Sequence, residues 1–235
     1  KSLIKEINLI KGTYFTNGIK ADALELGGGT PTFLPLELLK DIVECLNNEL
    51  PFLEGHEFNF EASPETVTGQ EGLEKLYYLK NAGANRMSLG IQSFVNRILE
   101  VSNRPHNLDD VLSSLENIKK VGFKRLNVDL MVGLNGQSVE DFIYSVDKAI
   151  ESGFDIIELY VMRYFDTKYF VPLKNEFKED NDFLSSDELL LSRVAADILL
   201  RNNGYESFNG RTYQKINKEY DFYADYYKGN FSGFN

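Results

Sequence analysis

Residues 125–131 read Arg-Leu-Asn-Val-Asp-Leu-Met, and the pattern of this stretch indicates the fold class. Side chains alternate between the two faces of a β-strand, so two leucines and a valine share one face while Asn127 and Asp129 share the other. The apolar face suits packing against helices. The other face carries an amide and a carboxylate, which cost several kcal/mol each when they are buried without partners. We therefore expect the polar face to line a space that holds a ligand and water.

Four further segments are predicted as strands, and three of them repeat this alternation. The five predicted strands are Ala23–Gly28, Glu57–Ser63, Arg86–Gln92, Arg125–Met131 and Ile156–Met162. Their starts lie roughly 30–40 residues apart with amphipathic helical stretches between them, which is typical of βα units and a parallel sheet. A doubly wound sheet is apolar on both faces of its inner strands, and a tightly packed eight-strand barrel is filled with branched apolar chains. The repeated polar face therefore favours an α/β fold built as a wide or incomplete barrel.

The helical stretches between the strands carry start and stop signals. Asn107 is a predicted N-cap, and Ser138 with Asp141 is a predicted capping box. Gly122 and Gly153 follow two of these stretches, where a C-terminal glycine is expected. No linker-like segment or break in composition divides the chain, so we predict a single domain over residues 1–235.

Composition and charge restrict the class of protein. The chain is 43% hydrophobic and 26% charged, which is ordinary globular composition, and its formal charge of −11 argues against a nucleic-acid surface. No run approaches the ~20 apolar residues of a membrane span, and the N-terminus lacks a basic-then-apolar signal. We expect a soluble cytoplasmic protein with neither a membrane span nor a nucleic-acid partner.

Residues that commonly bind metals are scarce. Cys45 is the single cysteine, so neither an internal disulfide nor a cysteine-only metal site can form within the chain. It borders the apolar stripe of the predicted helix over 36–46, where a buried structural thiol is expected. His56 and His106 are far apart in sequence and lack the i,i+4 spacing of a helical metal pair. The sequence therefore assigns no metal ligand.

A glycine-rich run, Gly27–Thr32, reads Gly-Gly-Gly-Thr-Pro-Thr directly after the first apolar strand segment. Glycines let the backbone approach a ligand closely and adopt positive φ, so the N–H and C=O groups of this run could hold a charged or zwitterionic group. The run is neither a GxGxxG fingerprint nor a P-loop, because no Gly-Lys-Ser/Thr follows. Taken alone, it indicates a tight turn.

Four other motifs follow this run along the chain. Glu61 lies in Phe-Glu-Ala-Ser-Pro-Glu, Asn85–Phe94 reads Asn-Arg-Met-Ser-Leu-Gly-Ile-Gln-Ser-Phe, Asn103–His106 reads Asn-Arg-Pro-His, and Asn127–Gly136 reads Asn-Val-Asp-Leu-Met-Val-Gly-Leu-Asn-Gly. In this order and spacing, the set closely resembles the oxygen-independent coproporphyrinogen III oxidase-like family of the radical S-adenosylmethionine (SAM) superfamily. That family includes anaerobic haem-degrading and haem-chaperone relatives. The resemblance covers residues 3–165 approximately.

The resemblance implies a partial (β/α)6 radical-SAM (TIM-like) barrel with SAM across the C-terminal ends of the strands. The backbone of Gly28 and Gly29, with Thr30, would hold the methionyl amino group, and Arg104 would pair with the SAM carboxylate. The residues that would bind the ribose hydroxyls and nearby polar atoms are Glu61, Gln92 and Asp129. Without a ligand role, Arg104 is a solvated loop charge, and the two carboxylates are partners of strand-end turns. The resemblance assigns no catalytic residue.

The chain departs from the family pattern at two places. Family members carry a CxxxCxxC motif just before the region equivalent to residue 1, where three thiolates hold a [4Fe–4S] cluster. Neither this motif nor the matching first strand is present, and Cys45 cannot replace the cluster loop. We expect a domain truncated at its N-terminus and also at its C-terminus, so that this chain alone is inactive. Asn135 stands where the family has proline in a Gly-Leu-Pro-Gly turn, which asparagine tolerates.

For the intact protein, the resemblance implies reductive cleavage of SAM to a 5′-deoxyadenosyl radical that abstracts hydrogen from a substrate. A tetrapyrrole is the expected substrate, through oxidative decarboxylation of coproporphyrinogen III or anaerobic haem degradation, with an electron donor such as flavodoxin or ferredoxin. The alternatives are a non-catalytic haem chaperone, a related radical SAM methyltransferase, and an unrelated TIM-like barrel with another ligand. Candidates for the substrate side are Tyr160, Met162 and Arg163. The Tyr/Phe-rich stretch over 205–234 is a candidate platform for a flat ring, or else a cover over the open edge of the barrel.

Overall fold

A computed structural model describes residues 2–14, 18–162, 183–207 and 209–216. The chain divides into two compact units. The first contains the chain up to Ile91 together with Pro105–Asn127, and the second contains Gln92–Arg104 and the chain from Val128 onward. Arg163 and residues 217–234, which the sequence nominated for the substrate side, lie outside the described residues.

The described residues form an α/β fold with a mostly parallel sheet, as predicted. The strands are β1 Ala21–Leu26, β2 Phe52–Ala62, β3 Arg86–Gln92, β4 Arg125–Val132, β5 Ile156–Val161, β6 Tyr205–Ser207 and β7 Thr212–Lys215. The helices are α1 Ser2–Tyr14, α2 Leu36–Glu49, α3 Gly69–Asn81, α4 Asn96–Val101, α5 Leu108–Val121, α6 Val139–Ser152 and α7 Ser186–Asn202, with short 3-10 turns at Pro31–Phe33 and Pro64–Thr66. Hydrogen bonds join the described strands in the order β1-β2-β3-β4-β5-β7-β6.

In the first unit, β1, β2 and β3 are parallel neighbours. Leu26 lies opposite Phe60, and Phe60 lies opposite Met87. The apolar face of β2 and β3 is buried, with no exposed surface on Phe58, Phe60 or Met87. On the helical side, α3 packs against α5 and α1 against α2. Burial of this face removes several large side chains from water, each of which stabilises the fold by about 1.5–3 kcal/mol.

The polar face of the same strands carries a row of hydrogen bonds that we call the amide row. It consists of Glu25, Asn59, Ser88 and Asn127, one residue from each of β1 to β4. Asn59 Nδ2 donates to Glu25 Oε1 over 3.2 Å, and Ser88 Oγ donates to Asn59 Oδ1 over 3.2 Å. Asn127 Nδ2 donates to Ser88 Oγ over 3.1 Å. The predicted alternation is confirmed, and at this level of the sheet the polar side chains donate hydrogen bonds to one another.

In the second unit, β5 pairs antiparallel with β7, and β7 pairs antiparallel with β6. β7 and β6 therefore extend the sheet beyond β5. The rings of Tyr205 and Tyr213 are buried, with 1% and 2% exposed, and the Tyr205 hydroxyl donates to Phe154 O. For the described part of the Tyr/Phe-rich stretch, the prediction of a platform for a flat ring is wrong, because Tyr205 and Tyr213 belong to the core.

The predicted helix ends are confirmed in detail. Asn107 and Ser138 each accept a hydrogen bond from the backbone N–H three residues on, and both form complete capping boxes. Gly122 and Gly153 end their helices in the left-handed conformation, with φ of 69° and 83°.

The first strand differs from its predicted bounds. β1 begins at Ala21 and ends at Leu26, so Gly27 and Gly28 lie beyond it rather than inside it. Cys45 is partly exposed on α2 rather than buried, because it lies at the border of the apolar stripe. Among the described residues, no helix is long and apolar enough to cross a membrane.

Candidate functional site

The glycine-rich run forms an exposed turn at the C-terminal end of β1. Gly28 has φ +84°, a left-handed conformation that favours glycine, and nothing lies within 4 Å of a Cβ built on Gly28 or Gly29. Thr30 precedes the 3-10 turn Pro31–Phe33 and makes no side-chain capping bond with it. Gly28 and Gly29 are exposed, so a ligand can approach the backbone of this turn closely.

The carboxylate of Glu61, near the end of β2, lies against this turn. The Gly28 N–H donates to Glu61 Oε2 over 3.2 Å, across 33 residues of sequence. A Cβ on Gly27 would lie 2.7 Å from Glu61 Cδ and 2.9 Å from both carboxylate oxygens, so only glycine leaves room for the carboxylate. Two of the predicted site residues, Gly28 and Glu61, are thus brought together in the first unit.

A partly buried relay of hydroxyl groups anchors the turn to the segment that follows Glu61. Thr66 Oγ1 donates to Ser63 O over 2.6 Å. Because its single proton is used there, Thr32 Oγ1 must be the donor in the 2.6 Å contact between the two threonine hydroxyls. Thr32 has no exposed surface. The relay fixes the last residue of the glycine-rich run to the chain two residues beyond Glu61.

Lys75 on α3 binds the same turn through its side chain. Its Nζ donates to Thr32 O over 3.0 Å and lies 3.1 Å from Glu71 Oε1. The side chain of Lys75 is 7% exposed, whereas that of Glu71 is 73% exposed. A buried ammonium group requires polar partners, and the Thr32 carbonyl supplies one of them. Nothing in the sequence pattern indicated this contact, since a lysine on an amphipathic helix is usually solvated.

A partly buried cluster, Ser63, Glu65 and His106, lies next to the relay. His106 Nε2 lies 3.0 Å from Ile91 O, and because a carbonyl only accepts, Nε2 carries a proton. His106 Nδ1 lies 3.3 Å from Glu65 Oε2, and Ser63 Oγ donates to the same carboxylate. Partial burial raises the pKa of Glu65, but the hydrogen bonds from His106 and Ser63 outweigh it, and the pKa lies below its ordinary value.

The other three predicted site residues, Gln92, Arg104 and Asp129, belong to the second unit. Arg104 Nη2 lies 3.1 Å from Met131 Sδ, and Met131 shares a face of β4 with Asp129. Gln92 ends β3 with φ 71°, a positive value that is uncommon for a residue with a Cβ. Within this unit, the structure places Arg104 beside the strand that carries Asp129, as a shared ligand would require.

Tyr160 lies near Asp129 and is held by a neighbouring arginine. Burial, and after it the charge of Asp129, raises the pKa of Tyr160 well above its ordinary value, so the phenol stays protonated at neutral pH. Arg211 Cζ lies 3.9 Å from the centroid of the Tyr160 ring, and Arg211 Nη2 lies 3.4 Å from Glu158 Oε2. Met162, which follows β5, is partly exposed.

Gln137 supports the end of β4, the strand that carries Asp129, and the sequence pattern did not indicate this contact. Its Oε1 accepts from Gly133 N over 2.8 Å, and its Nε2 donates to Met131 O over 3.0 Å, so it holds the chain that leaves β4. The adjacent Asn135 is 7% exposed, and among the described residues its Oδ1 has no hydrogen-bond partner. Asparagine therefore fits this turn less well than the sequence predicted.

Comparison with known proteins identifies the family. The sequence profile of the Radical SAM superfamily matches residues 14–149, which is more than half of the chain. The chain belongs to the radical SAM superfamily. This confirms the family resemblance that the glycine-rich run and the four later motifs carried.

Two curated relatives of this radical SAM chain show which proteins it is similar to. It is 40% identical over 126 residues to the heme chaperone HemW of Bacillus subtilis, covering 53% of this chain and 32% of the relative. It is 31% identical over 159 residues to the oxygen-independent coproporphyrinogen III oxidase of Cereibacter sphaeroides, covering 68% of this chain and 34% of the relative. The chain spans about a third of the length of these two relatives.

A solved structure supports the same fold. Coproporphyrinogen III oxidase (HemN) from Escherichia coli superposes with a TM-score of 0.80 at 23% sequence identity, over 93% of this chain and 48% of that chain. The predicted α/β fold of the radical SAM type is therefore confirmed.

The family implies two cofactors, SAM and a [4Fe–4S] cluster, and the described residues fit only the first. The exposed backbone of Gly28 and Gly29 lies beside the Glu61 carboxylate, for which Gly27 leaves room because it has no Cβ. This arrangement suits a zwitterionic ligand with ribose hydroxyls. A cluster of this kind needs three thiolates, whereas the chain has only Cys45. The described residues contain no group of three or more His, Cys, Asp or Glu side chains that could hold a metal ion.

Proposed function

We propose that this chain is the SAM-binding part of a radical SAM enzyme that acts on a tetrapyrrole. The observation that carries the proposal is the contact between the Gly28 N–H and the Glu61 carboxylate, which joins two of the predicted SAM residues at one strand end. The substrate class is supported by relatives named for coproporphyrinogen III oxidation and for haem handling. Oxidative decarboxylation of coproporphyrinogen III and anaerobic haem degradation are the two reactions we propose.

In this proposal, each residue of the site has a binding role. The turn backbone at Gly28 and Gly29, with Thr30, accepts and orients the methionyl amino group. Glu61 accepts hydrogen bonds from the ribose hydroxyls while the Gly28 N–H holds its carboxylate in place. SAM, when bound and reduced, supplies a 5′-deoxyadenosyl radical.

The residues of the second unit have complementary roles in the proposal. Arg104 pairs with the SAM carboxylate through its guanidinium group. Gln92 and Asp129 bind the ribose and nearby polar atoms. Tyr160, held by Arg211 and protonated at neutral pH, presents an uncharged phenol on the substrate side.

A non-catalytic haem chaperone is the second candidate. The relative that is 40% identical to this chain is named a heme chaperone, which favours this alternative over a methyltransferase. The two candidates differ in whether SAM cleavage is coupled to loss of the tetrapyrrole.

The experiment uses the product of the complete gene, reconstituted anaerobically with iron and sulfide. Dithionite stands in for the proposed flavodoxin or ferredoxin, and chromatography quantifies 5′-deoxyadenosine with and without haem or coproporphyrinogen III. Deoxyadenosine formation that depends on one tetrapyrrole, together with loss of that tetrapyrrole, is the expected result. Tight haem binding with a full cluster and no deoxyadenosine would favour the chaperone. A protein that binds neither cluster nor SAM would overturn both candidates.

A further inference from the structure

Gln92 adopts a backbone conformation that its own side chain does not favour. Its φ is 71°, and among the described residues only Asn103 is another non-glycine residue with positive φ. Asparagine populates this region several-fold more often than most residues, whereas glutamine has no such preference. A left-handed glutamine persists only where the surrounding structure holds it, and such residues concentrate at functional sites.

The peptide that precedes Gln92 is held by His106. φ of Gln92 is the rotation about its N–Cα bond, so it depends on how the Ile91–Gln92 peptide plane is oriented. His106 Nε2 donates to the carbonyl oxygen of that plane, Ile91 O, over 3.0 Å. The side chain of His106 is 1% exposed, so the hydrogen bond does not compete with water.

The residue that follows Gln92 is also fixed. Ser93 is fully buried, its Oγ lies 3.3 Å from Ser145 Oγ, and Val95 N donates to it over 3.1 Å. Ser145 Oγ in turn accepts from Phe94 N over 3.0 Å. With the chain held on both sides, Gln92 has no freedom to relax into an extended conformation.

His106 has a fixed orientation because its second nitrogen is also engaged. Nδ1 lies 3.3 Å from Glu65 Oε2 and 3.4 Å from Ser63 Oγ. The one proton of Ser63 Oγ goes to the Glu65 carboxylate, so Ser63 and His106 converge on the same carboxylate while Nε2 holds Ile91 O.

We propose that His106 is a positioning residue for the SAM site, which acts by holding the Ile91 carbonyl and so keeping Gln92 in its left-handed conformation. The inference rests on the proposed function, in which Gln92 binds SAM. A histidine that only fills space in the core would contribute to stability alone. Positioning requires in addition that the conformation of Gln92 and the affinity for the ligand change together.

The first measurement follows the backbone of Gln92 without any ligand. In the product of the complete gene labelled with 13C-glutamine, the Cα and Cβ shifts of Gln92 should indicate a left-handed residue. His106→Leu removes the donor and should shift them to values of an extended residue. His106→Gln keeps an N–H at a similar distance from the backbone and should restore the left-handed values. Left-handed shifts in the leucine variant would overturn the proposal.

The second measurement is the affinity for S-adenosylhomocysteine, which shares the amino, carboxylate and ribose groups of SAM and is not cleaved. Loss of one ligand hydrogen bond predicts about five- to tenfold weaker binding for His106→Leu, measured well below its melting temperature. His106→Gln should stay within about twofold of wild type by the same relation. The matched control is His56→Leu, which replaces the only other histidine, on β2, and should leave affinity unchanged.

A double variant separates positioning from general damage. Gln92→Gly adopts positive φ freely and lacks the binding side chain, so adding His106→Leu to it should weaken binding by less than about twofold. Equal losses in both backgrounds would show that His106 acts elsewhere and would overturn its positioning role. Absence of S-adenosylhomocysteine binding in the wild type would instead overturn the proposed function, and this inference with it.

Discussion

Replacing Gly27 by alanine perturbs the candidate site with little expected damage to the fold. The φ of Gly27 is outside the left-handed region, so alanine is compatible with the backbone there. The added Cβ would lie 2.7 Å from Glu61 Cδ, and the group in its way is the far end of a flexible, partly exposed side chain. Gly27→Ala should therefore displace the Glu61 carboxylate from the Gly28 N–H without moving the strands.

The expected magnitudes separate stability from binding. Losing the partly exposed Gly28–Glu61 hydrogen bond costs about 0.5–1 kcal/mol, and the lower entropy of an unfolded alanine returns about 0.4–1 kcal/mol. The free energy of unfolding should therefore change by less than about 1 kcal/mol. If Glu61 binds the ribose, its displacement removes a charged hydrogen bond of about 1.5–3 kcal/mol, which is about a ten- to hundredfold loss of affinity.

Calorimetric titration with S-adenosylhomocysteine and chemical denaturation measure the two quantities on the same samples. Glu61→Gln, which keeps the shape and loses the charge, should weaken binding by a similar factor. Gly12→Ala on α1 is the matched control, because nothing lies within 4 Å of its added Cβ and its affinity should equal that of wild type. If Gly27→Ala bound the ligand as tightly as wild type while Glu61→Gln did not, the steric reasoning would be refuted.

Three further substitutions test the supports of the site. Lys75→Met removes the buried donor to Thr32 O and should lower the free energy of unfolding by about 1–3 kcal/mol, seen as a melting temperature lower by about 2–4 °C per kcal/mol. Asn135→Pro should raise the free energy of unfolding by about 1 kcal/mol, measured by denaturant titration. The next residue, Gly136, has the positive φ of a type II turn, in which proline suits the position before it, and the substitution also removes the buried Oδ1. The depressed pKa of Glu65 stabilises the fold above the unfolded value of 4.5, and this stabilisation is lost as pH falls through the lower folded pKa. As pH falls from 4.5 through the lower folded pKa, Glu65→Gln should therefore lose less stability than wild type. An unchanged pH dependence would show that the hydrogen bond from His106 does not hold the carboxylate.

Features that depend on local sequence were predictable. The alternation in β4 and the caps at Asn107 and Ser138 follow from side chains within a few residues of one another, and the structure has them as predicted. The predicted first strand, Ala23–Gly28, begins and ends two residues after the strand in the structure, Ala21–Leu26. The reason is that glycines inside a strand and glycines that follow it give the same local signal.

Features that depend on distant residues were not predictable from the pattern. The carboxylate of Glu61 reaches Gly28 only because β1 and β2 pair in register, and Lys75 reaches Thr32 across 43 residues. The family resemblance implies that Gly28 and Glu61 bind the same ligand, but it does not predict the contact between them. The Asn103–His106 motif is part of the resemblance, but the resemblance implies no role for His106. The hydrogen bond from His106 Nε2 to Ile91 O appears only in the structure.

The polar strand face explains why a correct pattern led to an incomplete interpretation. The sequence predicted that the whole face lines a ligand space. Nearest the N-terminal ends of the strands, Arg86 Nη1 pairs with Glu57 Oε1 over 2.9 Å, and both side chains are nearly fully buried. In the amide row above it, hydrogen bonds join each side chain to the next. One step further along β1 and β2, the same alternation brings Gly27 to the face beside Glu61, so β1 offers no side chain at that level. In the lower rows polar side chains pair with one another, and Gly27 leaves space at the C-terminal end of β1. Room for a ligand therefore depends on the register in which neighbouring strands pair. The periodicity of the sequence does not contain that register.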